Sequence, residues 1–80
     1  MKKREVIHTS RIFHLVRQQR DHKKWYEILV TLPWDSWKGN LEEEITEYFG
    51  KPAHRYSLTW RFWNRIEAEK QFLYASLRWN

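Results

Sequence analysis

The sequence contains no cysteine, only two glycines and two prolines, and no long apolar run. The absence of cysteine excludes a disulfide framework, a cysteine-based zinc site and a thiol nucleophile. Small secreted domains usually depend on disulfides, so we expect a cytoplasmic protein, in the host cytoplasm if the source is viral. The basic N-terminus begins like a signal peptide, but residues 8–11 (HTSR) interrupt the apolar stretch that should follow. No segment approaches the roughly 18 apolar residues of a membrane span, so we expect a soluble protein with no membrane partner.

What the sequence does contain is aromatic residues and charge. Eighty residues make one domain, which has little core, and six Trp, four Tyr and four Phe offset that shortage. The formal net charge of +5 is unevenly distributed along the chain. Residues 1–24 hold eight Lys or Arg against two acids, residues 25–50 hold one against six, and residues 51–80 hold six against two. This segregation predicts two surfaces of opposite potential.

Alternating apolar residues predict a four-stranded, mostly antiparallel sheet. Residues 11–18 and 25–32 have strand length and composition, and the polar stretch between them predicts a hairpin turning at Asp21-His22. Residues 54–63 alternate again, residues 64–70 read as a charged loop, and residues 71–79 read as a last strand. Residues 1–10 form either a flexible basic arm or an extension of the first strand. The expected fold is α+β, with two layers in the order ββαββ.

One amphipathic helix is expected between the second and third of these strands. Its apolar positions recur at spacings of three and four, which is the helical period; they are Trp34, Trp37, Leu41, Ile45 and Tyr48. Asn40 followed by Glu43 fits a capping box, which favours a shorter helix that starts at Leu41. Gly50 suits the position just after the last turn.

The residues with catalytic or metal-binding chemistry do not form a motif. The four histidines are scattered with no paired spacing, so no metal or other cofactor is expected. A ribonuclease using His14 and His54, with Arg17 or Arg55, is a distant alternative. We therefore expect a binding protein and not an enzyme.

Cations cluster around the predicted hairpins, next to aromatic residues. Such a surface suits nucleic acid, because cations neutralise phosphates and rings stack on bases. An acidic protein surface is the other partner that these cations fit. The candidate residues are Arg11, Arg17, Arg20, Lys23, Lys24, Arg61 and Arg65.

Two further surfaces could bind protein. The acids Glu42, Glu43 and Glu47 project from the predicted helix, where they either stabilise its N-terminal half or imitate a run of phosphates. Four aromatic residues are expected to form a patch on the sheet face that the helix leaves uncovered: Trp25, Trp63, Phe72 and Tyr74.

The composition resembles no particular family, but small, aromatic-rich, motif-free chains are typical of accessory proteins of phages and mobile elements. Our first hypothesis is an inhibitor or adaptor that docks its aromatic sheet face, with charged rims, on a protein complex that handles nucleic acid, such as a host defence complex. The alternative is a stand-alone DNA- or RNA-binding module that uses the basic hairpins. A homodimer that covers the aromatic patch is a further arrangement.

Overall fold

The structure is a computed structural model that describes residues 2–31, 41–53 and 58–79. Four antiparallel strands lie side by side in chain order: β1 (Lys2–Thr9), β2 (Phe13–Arg20), β3 (Lys23–Val30) and β4 (Thr59–Phe62). Two helices accompany the sheet, α1 (Leu41–Phe49) and α2 (Arg65–Arg78). The predicted α+β class and the four-stranded antiparallel sheet are therefore confirmed. Within the described ranges no helix has the length and apolar character needed to cross a membrane.

Two elements of the expected order differ from the structure. Residues 2–9 are a separate strand at the edge of the sheet, and so neither a flexible arm nor an extension of the strand expected over residues 11–18. Residues 65–78 form a helix in place of the expected charged loop and last strand. The described elements thus run βββαβα, with two helices where one was expected.

The buried residues of the second helix recur at the helical period, and two of them are small. Asn64 caps it, since its side-chain oxygen accepts the backbone N–H of Glu67 at 3.2 Å. Ala68 and Ala75, seven residues apart, are fully buried, and Phe72 between them is half-buried. Residues 71–79 therefore fit both the two-residue alternation of a strand and the 3.6-residue period of a helix. In the structure residues 71–78 are helical, and the side chains that follow the helical period face the core.

The core lies between the sheet and the two helices. Phe13 and Leu15 of β2 and Ile28 of β3 are fully buried there, and the ring centroid of Phe13 lies 6.2 Å from that of Phe49 and 6.0 Å from that of Trp79. The even-numbered residues Tyr26, Ile28 and Val30 of β3 belong to this core or pack against it, as do Trp60 and Phe62 of β4 and Leu58 just before β4. The hairpin between β2 and β3 is also as predicted.

The first helix ends as expected and is tied to the sheet at that point. Gly50 has a φ of 91°, which favours glycine, and its N–H donates to the carbonyl of Thr46 at 2.7 Å. The Gly50 carbonyl accepts the indole N–H of Trp60 at 2.9 Å. Ile45 is fully buried, whereas Leu41 is only half-buried. Trp34, Trp37 and Asn40 lie outside the described residues.

Replacing Ile45 tests the packing of α1. We expect Ile45→Ala to lower the free energy of unfolding by about 2–5 kcal/mol, because it leaves a cavity in a core that contains few large buried side chains. Val6→Ala on the exposed side of β1 should change it by no more than about 0.5 kcal/mol. Chemical denaturation of both variants measures the difference, and equal losses would show that α1 does not anchor the core.

Candidate functional site

The sheet face opposite the helices is where the patch of four aromatic residues was expected. Residues that face away from the core on neighbouring strands align in rows, so Gln18 pairs with Trp25, and Glu27 with both Val16 and Arg61. The centre of this face is buried, with Val16, Gln18 and Glu27 exposed by 0%, 5% and 4%. The expectation of an open face is therefore wrong at its centre, where Gln18 and Glu27 hydrogen-bond to each other between larger neighbours.

Part of this face is accessible at the β2–β3 turn. There the surface forms a concavity of about 640 Å³, which we call the turn site. Its lining combines cations, acids, a histidine and two tryptophans: Arg20, Asp21, His22, Lys23, Trp25, Glu27, Arg61 and Trp63. The turn site thus unites residues from β2, β3, β4 and the residue that follows β4.

The hairpin and the short fourth strand bring these residues together. Arg20 and Lys23 are register partners on either side of the two-residue turn, and Asp21 adopts a φ of 57°, which Asp tolerates better than most residues. Trp63 comes directly after β4, and its ring centroid lies 6.3 Å from that of Trp25 at 57°. Trp25 is half-buried, whereas Trp63 is 66% exposed.

Arg61 is held in place by both indoles and a buried acid. Its guanidinium carbon lies 5.1 Å from the ring centroid of Trp25 and 5.9 Å from that of Trp63, within cation–π range. Its Nη2 lies 4.0 Å from Oε2 of Glu27, whose Oε1 accepts a hydrogen bond from Nε2 of Gln18 at 2.8 Å. The guanidinium is therefore oriented before any ligand arrives.

Two buried polar atoms next to this arrangement have no hydrogen-bond partner within residues 2–31, 41–53 and 58–79. They are Oε1 of Gln18 and Nε1 of Trp25, on cross-strand partner residues. Such atoms are rare in folded proteins because each costs about 1–3 kcal/mol. Both atoms are buried, and of the two residues only Trp25 lines the turn site.

Only some of the predicted cations belong to the turn site. Arg20, Lys23 and Arg61 line it, but Arg17 lies on the other face of the sheet, where its Nη2 donates to Oε2 of Glu5 at 2.6 Å. Lys24 lies on that other face too, because it is the residue next to Lys23 in the strand. Alternate strand residues point to opposite faces, so a run of cations in the sequence is divided between two surfaces.

The remaining predicted cations lie elsewhere. Arg11 is in the β1–β2 connection, separated from the turn site by the length of β2, about 26 Å. Arg65 begins α2 and is paired with Glu69 at 2.8 Å, an interaction that raises the pKa of the Arg65 guanidinium. The sequence reasoning missed Arg4, which is exposed and in register with Gln18, because residues 1–10 were not predicted as a strand that pairs alongside β2.

The predicted aromatic patch is divided between two surfaces. Trp25 and Trp63 are in contact at the turn site, whereas Phe72 and Tyr74 belong to α2 on the other side of the sheet. Phe72 is half-buried and stacks on His8 with centroids 5.8 Å apart, and Tyr74 is exposed. A single patch of four rings is therefore wrong, since residues 71–79 are helical and not a strand of the sheet.

Among the described residues, the acids of α1 lie on a solvated helix face and His14 is hydrogen-bonded to a neighbouring hydroxyl. Glu43 and Glu47 are exposed and Glu42 is half-buried around a shallow depression, as expected of a solvated helix face. His14 is hydrogen-bonded through Nδ1 to the hydroxyl of Thr9 at 2.6 Å.

The residues of the ribonuclease alternative are only partly described. His54 and Arg55 lie outside the described residues, and Arg17 and His14 face opposite sides of β2. Residues 2–31, 41–53 and 58–79 contain no group of three or more potential metal ligands.

Comparison with known proteins gives no relative: no family model matches the sequence, and neither curated proteins nor solved structures match it.

The buried pair beneath Arg61 can be tested by a double-mutant cycle. Gln18→Leu should lower the free energy of unfolding by about 1–3 kcal/mol, because the Glu27 carboxylate loses a charge-assisted hydrogen bond. In the background of Glu27→Leu the same change should cost less, since no carboxylate remains to be satisfied. Urea denaturation of the four proteins gives the coupling energy, and a coupling near zero would refute the interaction.

Proposed function

We propose that this chain is a non-enzymatic protein that binds single-stranded nucleic acid through the turn site. The observation that carries the proposal is a guanidinium held against two indoles, one of them 66% exposed, with Arg20 and Lys23 lining the same concavity. A nucleotide strand presents both chemistries that this arrangement suits, a phosphate and an aromatic base, at each step.

The two kinds of side chain have separate roles in this proposal. Arg20 and Lys23 neutralise phosphates, which gives affinity without sequence preference. Trp63 offers its exposed ring for a base to stack on, and such stacking contributes about 1–3 kcal/mol per base. Arg61 extends the stacking surface, because a guanidinium plane fixed beside an indole also accepts a base.

A single strand suits this surface better than a duplex. The indoles can stack only on bases that are unpaired, since the faces of paired bases are covered within a helix. Asp21 and Glu27 also line the turn site and offset part of its positive charge. The site therefore lacks the dense positive charge that duplex binding by phosphate contacts alone requires, and stacking has to supply much of the affinity.

The first hypothesis from the sequence, an inhibitor or adaptor docking on a protein complex that handles nucleic acid, remains a second proposal. It is favoured by the exposure of Trp63, because tryptophan is enriched among the residues that dominate protein interfaces. In this second proposal the partner protein docks on the turn site, in place of the expected patch of four aromatic rings. We propose the cytoplasm for either function, consistent with a chain that contains no cysteine.

Two matched triple variants test the nucleic-acid proposal. Replacing Arg20, Lys23 and Arg61 by Ser should greatly weaken binding of a fluorescent single-stranded oligonucleotide, measured by anisotropy. Replacing Arg11, Arg17 and Lys24 by Ser removes the same charge from other surfaces and should have a much smaller effect. For the unmodified protein, the two phosphate contacts of Arg20 and Lys23 predict a slope of about −1.4 in log K against log salt, since each contributes about −0.7 on a single strand.

The outcomes separate a defined site from general attraction. Equal losses in the two triple variants would show that net charge alone binds the strand. No binding of oligonucleotide by the unmodified protein at low salt would refute the proposal and leave protein docking through the turn site. Thermal melts confirm that each variant is folded.

Two exposed aromatic residues on different surfaces give a second test. Trp63→Ala should weaken oligonucleotide binding by roughly 5- to 150-fold, the equivalent of losing one stacked base. Tyr74→Ala removes a ring of comparable exposure from α2 and should leave the affinity unchanged. Quenching of tryptophan fluorescence by the oligonucleotide, lost in the Trp63 variant alone, would report the contact directly, and a larger effect at Tyr74 would contradict the assignment.

A further inference from the structure

The second helix places its large apolar side chains away from the core. Ile66, Leu73 and Leu77 are 79%, 54% and 71% exposed, whereas the buried positions of the helix include Ala68 and Ala75. A helix that only covers a sheet normally shows the reverse, with large apolar residues inward and polar residues outward. Exposed apolar surface of this kind marks an interaction surface.

The spacing of the exposed residues is that of a coiled-coil seam. Ile66, Lys70, Leu73 and Leu77 follow one another at intervals of four, three and four, and so occupy the positions d, a, d and a of a heptad. Ala68 and Ala75 then take the position f, on the opposite side of the helix and against the sheet. One side of α2 thus packs on its own sheet while the other presents a seam, which we call the α2 seam.

We propose that the α2 seam pairs with the α2 seam of a second copy of this chain, in antiparallel orientation. The sequence of intervals is the same in both directions, so a two-fold axis midway between Lys70 and Leu73 maps the seam onto itself. Ile66 then meets Leu77 of the second copy, and Lys70 meets Leu73. A self-complementary surface of this kind is what a two-fold dimer requires.

The charges of α2 also favour this orientation. In a parallel pair the two Lys70 side chains would face each other across the seam, whereas in the antiparallel pair each lies beside an apolar residue and extends its ammonium to water. Of the flanking residues, Glu67 comes opposite Tyr74 of the second copy and Glu69 opposite Ser76. No like charges meet, and the two helix dipoles run in opposite directions.

The size of the seam sets the strength of the pair. One helix of 14 residues offers less surface than the roughly 800 Å² per partner of a standard stable interface. The dimer is therefore a weak one, with a dissociation constant in the micromolar range or above. It also leaves both turn sites accessible, because α2 and the turn site lie on opposite faces of the sheet.

Disulfide trapping tests the pair, since the chain contains no cysteine of its own. The variants Ile66→Cys and Leu77→Cys should cross-link with each other when mixed and oxidised, and neither should cross-link efficiently with itself. In the antiparallel pair two copies of residue 66 lie about 16 Å apart along the axis, beyond the roughly 7 Å reach of a disulfide. Self-cross-linking of Ile66→Cys, or equal reaction in all mixtures, would overturn the register.

Sedimentation equilibrium over a range of concentrations gives the independent measurement. The unmodified protein should show a reversible monomer–dimer equilibrium. Leu73→Lys should raise the dissociation constant about tenfold or more, because the introduced ammonium group faces Lys70 of the second copy. Adding Lys70→Glu to that variant should restore the dimer, since unlike charges then meet.

Three results of this measurement would overturn the proposal. They are a monomer at all concentrations, an unaffected Leu73→Lys variant, and failure of the rescue by Lys70→Glu. Oligonucleotide binding by the turn site does not depend on any of these results, so the two proposals can fail separately.

Discussion

The close approach of α2 to the sheet through Ala68 and Ala75 is the contact on which the rest of the architecture depends. Alanine contributes little apolar area, so the sheet and α1 must supply the large buried side chains, such as Phe13, Leu15 and Ile45. The same choice leaves Ile66, Leu73 and Leu77 outside. A domain with so small an interior has little stability to lose, and burying this outer row against a second copy would add to it.

The alternation of side chains along β2 and β3 separates the two surfaces that we assign to binding. Arg17 and Lys24 face the helix side, whereas Arg20 and Lys23 face the turn site, although the four are close in the sequence. A dimer through the α2 seams would therefore carry two turn sites on its outer faces. A strand long enough to reach both would bind with avidity, so that weak individual contacts add up to a useful affinity.

Regular patterns in the sequence predicted the central strands, α1 and the class of fold, because these elements bury large side chains at a single period. The secondary structure of residues 64–79 could not be predicted in the same way. Their alternation over Leu73, Ala75 and Leu77 mimics a strand, and the buried alanines carry almost no hydrophobic signal. A cap was nevertheless visible: Asn64 followed by Glu67 repeats the pattern of Asn40 and Glu43 that indicated the start of α1. The turn site was predicted only as separate residues, since the contact between Trp25 and Trp63 depends on which strands are neighbours.

The turn site, proposed here to bind a polyanion, contains a buried carboxylate, that of Glu27. The position of Arg61 explains why an acid lies there. Glu27 reduces the total positive charge, but its Oε2 lies 4.0 Å from Nη2 of Arg61 and adds an ionic contact to the two indoles that flank this side chain. A restrained guanidinium loses less conformational entropy when a ligand binds, and it keeps its plane beside the indoles. Gln18 contributes one step further away, because its amide fixes the other oxygen of the same carboxylate. Glu27 therefore lowers the positive charge of the turn site but helps to orient the Arg61 guanidinium. This favours a ligand recognised by its flat rings over one recognised by charge alone.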